Sequence, residues 1–328
     1  MLTNILSNRP LNTPIISVVI PTYNCAHLLA QTIDSVRSQT MTEWEMLIIN
    51  DGSTDSTVEL VQAYMEKDDR IHLINQSNSG VSRSRNYGAS FASSDIIAFL
   101  DADDRWLPNK LQDHLEELNM NPNVGISFAR VEFITEQGIV TGKTTNCQLH
   151  NLTPDRFLYT NPTVTVSNLV IRKSIFELLK GFDETINHSE DMDLLFRASR
   201  YVKIEGIDRV LIQYRIQTTS LSSTVDKMEQ GWHHLIEKAR QLEPELVDQH
   251  YSAAYANQLI YLARQTLRLN LVPKLGINYL HRALRIHWPS ILLAPRSFLI
   301  AFKLYQRHLN ISLKEQVGQR INNPKSSI

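Results

Sequence analysis

Two cysteines in 328 residues, Cys25 and Cys147, exclude a disulfide framework and lack the clustered spacing of a zinc site. A reducing cytoplasm is the simplest setting for such a chain. Long apolar runs are missing too. The nearest, Trp288 to Phe302, is broken by Pro289, Pro295 and Arg296, so no spanning helix of about 18 or more apolar residues is expected. The first fourteen residues have neither a basic start nor an apolar run, and no secretory signal is read there. After the first apolar run the chain reads PTYNCAHLL, with no glycine, lysine or arginine, which argues against the phosphate loop of a sugar nucleotidyltransferase. Net charge is nearly absent at −1, yet residues 260–328 hold eleven Lys/Arg against Glu315 alone, or +10. The remainder then carries 22 basic and 33 acidic residues, or −11.

What is present, 42% hydrophobic and 20% charged residues, suits a folded chain with one large α/β domain and an appendage. Ile15–Ile20 is a β-branched run with too few polar positions for a half-exposed strand, so it reads as a buried one ended by Pro21. From His27 to Gln39, Leu28, Leu29, Ile33 and Val36 mark one helical face, and Met46–Ile49 reads as a second strand. The pattern repeats with a helix over Asp55–Met65, a strand at Ile71–Ile74, a helix over Val81–Phe91 and a strand at Ile96–Leu100. Alternation of this kind predicts a mostly parallel sheet with helices on both faces. Lys110–Leu118 and Ser189–Ser199 read as helices, Gly125–Ala129 as a strand and Gly181–Glu184 as a loop. Beyond Ser223 the pattern is helical over Tyr251–Leu269, Pro273–Ile286 and Pro295–Leu309.

Ligands of open α/β sheets gather at the carboxyl ends of the strands. Three strand ends run directly into Pro21-Thr22-Tyr23-Asn24, Asn50-Asp51-Gly52-Ser53 and Asp101-Ala102-Asp103-Asp104. Asp, Asn and Ser also lead the turn and cap preferences, so each cluster alone is compatible with a turn. Asp101 and Asp103 lie two apart, and on an extended chain both face one way, an arrangement suited to a hard divalent cation. Asp104 reads as a cap for the segment leading to Trp106 and Pro108.

SVVIPTYNCAHLLAQTIDSV, LIINDGSTDST, NSGVSRSRNYG, IIAFLDADDRWLPNKL, GFDE and SEDMDLLFR occur in this order. Together they resemble the family 2 inverting glycosyltransferases of GT-A fold, over roughly residues 15 to 220. The resemblance implies a nucleotide-sugar-binding half at 1–110, an acceptor-binding and catalytic-base half at 111–222, and a basic amphipathic helical region at 223–328. It implies a nucleotide pocket of Pro21, Thr22, Tyr23, Asp51, Arg85, Asn86 and Asp101. Tyr23 offers a ring for stacking, and the acceptor-only carboxylate of Asp51 suits a uracil-type imide N–H. Asp103, with Asp101, is implied as ligand of Mn²⁺ or Mg²⁺, and Asp191 as the base that takes the acceptor proton. Glu190, Asp191 and Asp193 equally suit the negative preference of a helix start. One position departs from the family. Where a Tyr-Arg pair is often followed by a histidine, this chain reads Tyr214-Arg215-Ile216-Gln217.

The expected donor is a UDP-sugar, with a dTDP-sugar second, and the expected acceptor a hydroxyl of a glycan or lipid-linked glycan. A catalytically silent scaffold subunit is the alternative. The tail sets Arg282, Arg285, Arg296, Lys303 and Arg307 among Trp288, Ile291, Leu292, Leu293, Phe298, Leu299, Phe302 and Tyr305. That composition fits peripheral contact with an anionic membrane on its inner face, and equally a helical cap packed on the domain; nucleic acid is not expected.

Overall fold

The computed structural model describes residues 13–186, 188–217, 225–292 and 295–322. Within Met1–Phe157, Asn161–Ile186 and Glu190–Gln217 they form one compact unit, and within Leu158–Thr160, Asn187–Ser189 and Thr218–Ile328 another.

The first unit begins as β1 (Ile16–Thr22), α1 (Ala26–Arg37), β2 (Trp44–Asn50), α2 (Thr57–Met65), β3 (Ile71–Asn75), α3 (Val81–Phe91) and β4 (Ile96–Phe99). β1, β2, β3 and β4 are mutually parallel, in register at Ile16 with Trp44, Ile16 with Ile96 and Met46 with Ile71. All seven residues of β1 are buried, which is why its sequence does not alternate. α1 buries Leu28, Leu29, Ile33 and Val36. Helix α3 comes so close to the sheet that a Cβ on Gly88 would stand 2.5 Å from Val19 Cγ1 and 2.8 Å from Ile49 Cγ1. Only glycine fits there.

Beyond β4 the chain adds β5 (Arg105–Trp106), α4 (Lys110–Met120), β6 (Val124–Ile134), β7 (Val140–Thr144) and α5 (Arg156–Tyr159). A 3-10 turn (Val166–Asn168), β8 (Val170–Arg172), α6 (Lys173–Leu178), α7 (Glu190–Ser199) and β9 (Lys203–Arg215) follow. The sheet order is β3-β2-β1-β4-β8-β6-β9-β5, with β7 on β6. The parallel expectation describes β1 to β4; further on the sheet is mixed, with β8 antiparallel to β4 and β6, and β5 antiparallel to β9.

The reversal positions the site. Since β8 runs against β4, Val170 pairs with Ala98, and the 3-10 turn before β8 lies at the end from which β4 emerges. Since β5 runs against β9, Arg105 pairs with Gln213, and the end of β9 meets the Asp103–Asp104 segment. Residues 101–217 thereby fold back onto the strand ends of residues 16–99.

The second unit contains α8 (Val225–Leu242), α9 (Pro244–Arg268), α10 (Pro273–Ile286), α11 (Trp288–Leu292) and α12 (Pro295–Asn322). Proline opens α9 and α10, where its missing N–H has no helical partner to lose. Their shared core includes Met228, Leu259, Leu262, Ile277, Leu280, Ile300 and Leu304. α12 is apolar on two sides. Ser297, Ile300 and Leu304 are buried, whereas Phe298, Phe302, Tyr305 and Leu309, spaced as one helical stripe, are 42–65% exposed. Leu293 lies outside the described residues, as do Thr218–Ser222 of the stretch after Tyr214. Among the described residues no helix is long and apolar enough to cross a membrane.

Candidate active site

The ends of β1 and β2 are tied together before any ligand is considered. Asp51 N donates to Thr22 O at 2.9 Å, and Asn24, at φ +48°, accepts from Thr54 N at 2.7 Å through its side chain. Pro21 and Thr22 are buried, and Tyr23 is 52% exposed at the strand end. The Thr22 hydroxyl is buried without a hydrogen-bond partner, the state expected of a group awaiting one.

Asp51 is buried at the end of β2 and organises the loop leading to α3. Its Oδ1 accepts from Ser79 N at 2.8 Å and Gln76 Nε2 at 2.7 Å, and its Oδ2 from Gly80 N at 3.0 Å. Gly80, at φ +92°, allows the turn that aims both amides at one carboxylate. Asp51 is therefore a loop anchor, and Oδ2, with a single donor, retains accepting capacity.

The segment Asp101–Asp104 is a turn, not the extended chain expected from its spacing: Asp104 N donates to Asp101 O at 3.1 Å. The turn keeps three carboxylates close in a half-buried place, and the titration of Asp103 and Asp104 reflects it. Burial, reinforced by Asp101, pushes Asp103 up to about 6. Asp104, fully buried, is held well above the ordinary carboxylate range by burial and by both neighbours. Asp104 does not cap the following segment. It braces the fold, accepting from Ser167 Oγ at 2.6 Å and from Arg215 N at 2.9 Å. Trp106 completes that brace by donating from its indole to Ser167 O at 2.8 Å.

Arg85 and Asn86, both on α3, are held by partners from distant segments. Arg85, 4% exposed, donates to Asp101 Oδ1 at 2.7 Å and to Glu190 Oε1 at 3.1 Å, linking α3, the acidic turn and α7. Burial lowers its basicity, but Asp101 and Glu190 outweigh burial and hold it above its ordinary value. Asn86 is occupied by the Gly181–Glu184 loop: it donates to Phe182 O at 2.8 Å and Glu184 Oε1 at 3.1 Å and accepts from Phe182 N at 2.8 Å. A primary amide with all three contacts made has little left for a ligand.

Asp191 lies in the first turn of α7, half-buried. Its Oδ1 accepts from Met192 N at 2.7 Å and its Oδ2 from Asn161 Nδ2 at 2.6 Å. Burial first and Glu190 second push it up to about 7, against the pull of those donors and of Arg85. A carboxylate balanced there can accept a proton near neutrality.

The segment Asn161–Asn168 escaped the sequence reading, yet it touches both acidic centres. Asn161 bonds Asp191, and Thr165 Oγ1 lies 3.4 Å from Asp101 Oδ2 and from Asp104 Oδ2. Ser167 Oγ receives Asp101 N at 3.0 Å. TNPTVTVSN follows neither a strand nor a helix period, and its only signal is a run of Ser, Thr and Asn of the kind that bonds to backbone.

Among the described residues no three His, Cys, Asp or Glu side chains are arranged to hold a metal by themselves. The donor set nevertheless fits Mg²⁺ or Mn²⁺, which is commonly held by one or two carboxylates while waters and phosphate oxygens fill the other positions. Asp103 and Asp101 supply hard oxygens, and their mutual repulsion favours a cation between them. Gln217 is also brought here, donating from Nε2 to Asp103 Oδ2 at 2.8 Å. It orients Asp103 and does not present its own oxygen.

Comparison with known proteins agrees with this geometry. The model of glycosyl transferase family 2 matches residues 17–179. The putative teichuronic acid biosynthesis glycosyltransferase TuaG of Bacillus subtilis is 30% identical over 214 residues, covering 64% of this chain and 82% of that protein. The UDP-Glc:alpha-D-GlcNAc-diphosphoundecaprenol beta-1,3-glucosyltransferase WfgD of Escherichia coli is 32% identical over 212 residues, covering 64% of this chain and 80% of that protein. Two solved structures share the fold. S. aureus TarS 1-349 in complex with UDP-GlcNAc superposes with TM-score 0.57 at 18% identity, over 84% of this chain and 88% of that one. The mannosyltransferase PcManGT of Pyrobaculum calidifontis, in complex with GDP-Man and Mn²⁺, gives 0.58 at 15% identity, over 90% and 87%. The first unit thus has the GT-A architecture.

Proposed function

The chain belongs to glycosyl transferase family 2, and on that premise we propose an inverting, divalent-cation-dependent enzyme that moves a sugar from a UDP-sugar to a hydroxyl of a glycan or lipid-linked glycan. One observation carries the reading: a half-buried Asp191 poised near neutral pH is joined, through Glu190 and Arg85, to the acidic turn at the end of β4. Asp51 and Tyr23 receive the base, and Asp101 and Asp103 hold the cation. When bound, that cation neutralises charge gathering on the diphosphate. Asp191 takes the proton of the acceptor hydroxyl while its oxygen bonds the anomeric carbon. The bond to the diphosphate breaks from the opposite face, and its electron pair leaves with the phosphate oxygen. Configuration inverts because one displacement occurs.

The printed name of WfgD, with its UDP-glucose donor and diphosphoundecaprenol-linked acceptor, supports a UDP-sugar and a lipid-linked glycan here. The test is UDP release from a UDP-sugar panel with Mn²⁺, Mg²⁺ or a chelator, for the parent and Asp103→Ala. Metal-dependent release lost in Asp103→Ala is expected. Equal, metal-independent signals from both proteins would support the silent-scaffold alternative instead.

A lipid-linked acceptor places the enzyme at the inner face of a membrane, and the exposed stripe of α12 suits that surface. Phe298, Phe302 and Tyr305 stand beside exposed Lys303 in a region of strongly positive charge, the pairing that anionic headgroups attract. Co-sedimentation with phosphatidylglycerol vesicles should be lost in Phe298→Asp/Phe302→Asp and in vesicles of phosphatidylcholine alone. Unchanged binding in the variant overturns the contact.

A further inference from the structure

We propose that Asn161 is a positioning residue for Asp191, fixing the plane of its carboxylate so that its remaining lone pairs face the acceptor hydroxyl. The inference rests on the reading of Asp191 as the base. Asn161 Nδ2 donates to Asp191 Oδ2 at 2.6 Å, and Met192 N holds the other oxygen at 2.7 Å. A carboxylate pinned at both oxygens cannot rotate, and its unused lone pairs keep one direction.

The orientation of Asn161 is itself determined. Its Oδ1 accepts from Thr163 Oγ1 at 2.7 Å, Thr163 N at 2.9 Å and Val164 N at 3.2 Å. A flipped amide would turn donors toward these donors and set an oxygen against a carboxylate, so the amide can point only one way. Val164, a β-branched residue at φ +70°, is in a backbone conformation that L side chains rarely adopt, and the surrounding bonds must hold it there. Asn168 does so from beneath, donating to Thr163 O at 2.9 Å and to Ala129 O at 2.8 Å on β6. At its other end, Thr165 and Ser167 bond the acidic turn. One rigid segment therefore sets the place of the base relative to the carboxylates that hold the cation.

The charged groups acting on Asp191 are Glu190 from its own helix and Arg85 from α3. With Arg85, and against burial and Glu190, the Asn161 bond favours the charged carboxylate, so its loss leaves Asp191 protonated to higher pH. Three variants separate the possibilities, measured by UDP release with Mn²⁺ from whichever of UDP-glucose and UDP-N-acetylglucosamine the parent turns over faster. Asn161→Ala should lower kcat roughly 10- to 100-fold with donor KM within about twofold. Asn161→Asp keeps an oxygen for Thr163 and Val164, so the turn survives if the alanine variant unfolds, and it replaces the donor to Asp191 with a second carboxylate oxygen whose repulsion adds to the lost hydrogen bond. Its acidic limb should move up by about one pH unit, with activity recovering as pH rises. A readout independent of turnover is the pH at which the stabilisation by Asp191→Asn levels off, which follows the folded carboxyl and should rise in the Asn161→Asp background. An unmoved limb and an unmoved levelling-off pH, with Asp191→Asn inactive, overturn the role of Asn161 and leave the base assignment standing. Full activity in Asp191→Asn overturns the assignment itself.

Discussion

The ends of β2 and β4 carry the same residue type at the same kind of place, and the structure treats them oppositely. At β2, Asp51 meets backbone amides of Ser79 and Gly80 that point at it, and a buried carboxylate is satisfied. At β4, Asp101, Asp103 and Asp104 meet one another, and Arg215, Arg85 and hydrogen bonds offset the crowding only in part. The first arrangement makes a rigid wall. The second leaves a deficit of positive charge that a cation can fill. What an aspartate does at a strand end is decided by the donors that the next loop brings.

Removing the charges that stay unbalanced should have the largest effect. Asp191→Asn should reduce transfer by about 10²–10⁴-fold while UDP binding, read by calorimetry, is retained. A retained rate would erase the contrast, since Asp191 would then be as structural as Asp51. The next effect is on folding: Asp51→Asn faces an amide nitrogen toward one of the two backbone donors, Ser79 N or Gly80 N, and should cost about 1–3 kcal/mol, read as a lower urea midpoint.

The pH dependence sharpens the same contrast. With Asp191 pushed up to about 7, kcat/KM should rise with pH through a midpoint near that value as the base loses its proton. For stability the sign is reversed. A carboxyl whose folded pKa is raised stabilises the fold below its ordinary range, about pH 4, and that contribution is lost as pH rises through about 7. Asp191→Asn should therefore melt like the parent at pH 4 and a few degrees higher at pH 8, by scanning calorimetry, since about 1 kcal/mol moves Tm by ~2–4 °C in domains of this size. The smallest change concerns Gln217. Gln217→His should lower the Mn²⁺ concentration for half-maximal activity, by roughly tenfold, if the side chain beside Asp103 tunes the cation.

Much of the first unit was legible because each of its early elements declares itself locally. Buried runs such as Ile16–Ile20, the face of Leu28, Leu29, Ile33 and Val36, and polar strand ends all follow from short-range pattern. β8 is three residues long and β5 two, too short to show a period, so the antiparallel turn of the sheet was not legible. The sequence names Arg85 and Asn86 only as members of the implied nucleotide pocket, with no sign of what holds them. Their partners lie 105 and 96 residues away, at Glu190 and Phe182.

From the sequence alone came the residue types, the order of the early strands and the family, because period, composition and motif are properties of neighbouring residues. Only the tertiary structure decided that Asp104 braces Arg215, that Gln217 orients Asp103 and that Asn161 holds Asp191. The physical reason is that a carboxylate's charge state and direction depend on burial and on donors supplied by distant segments. Those exist only once β8 and β9 have folded back onto the end of β4.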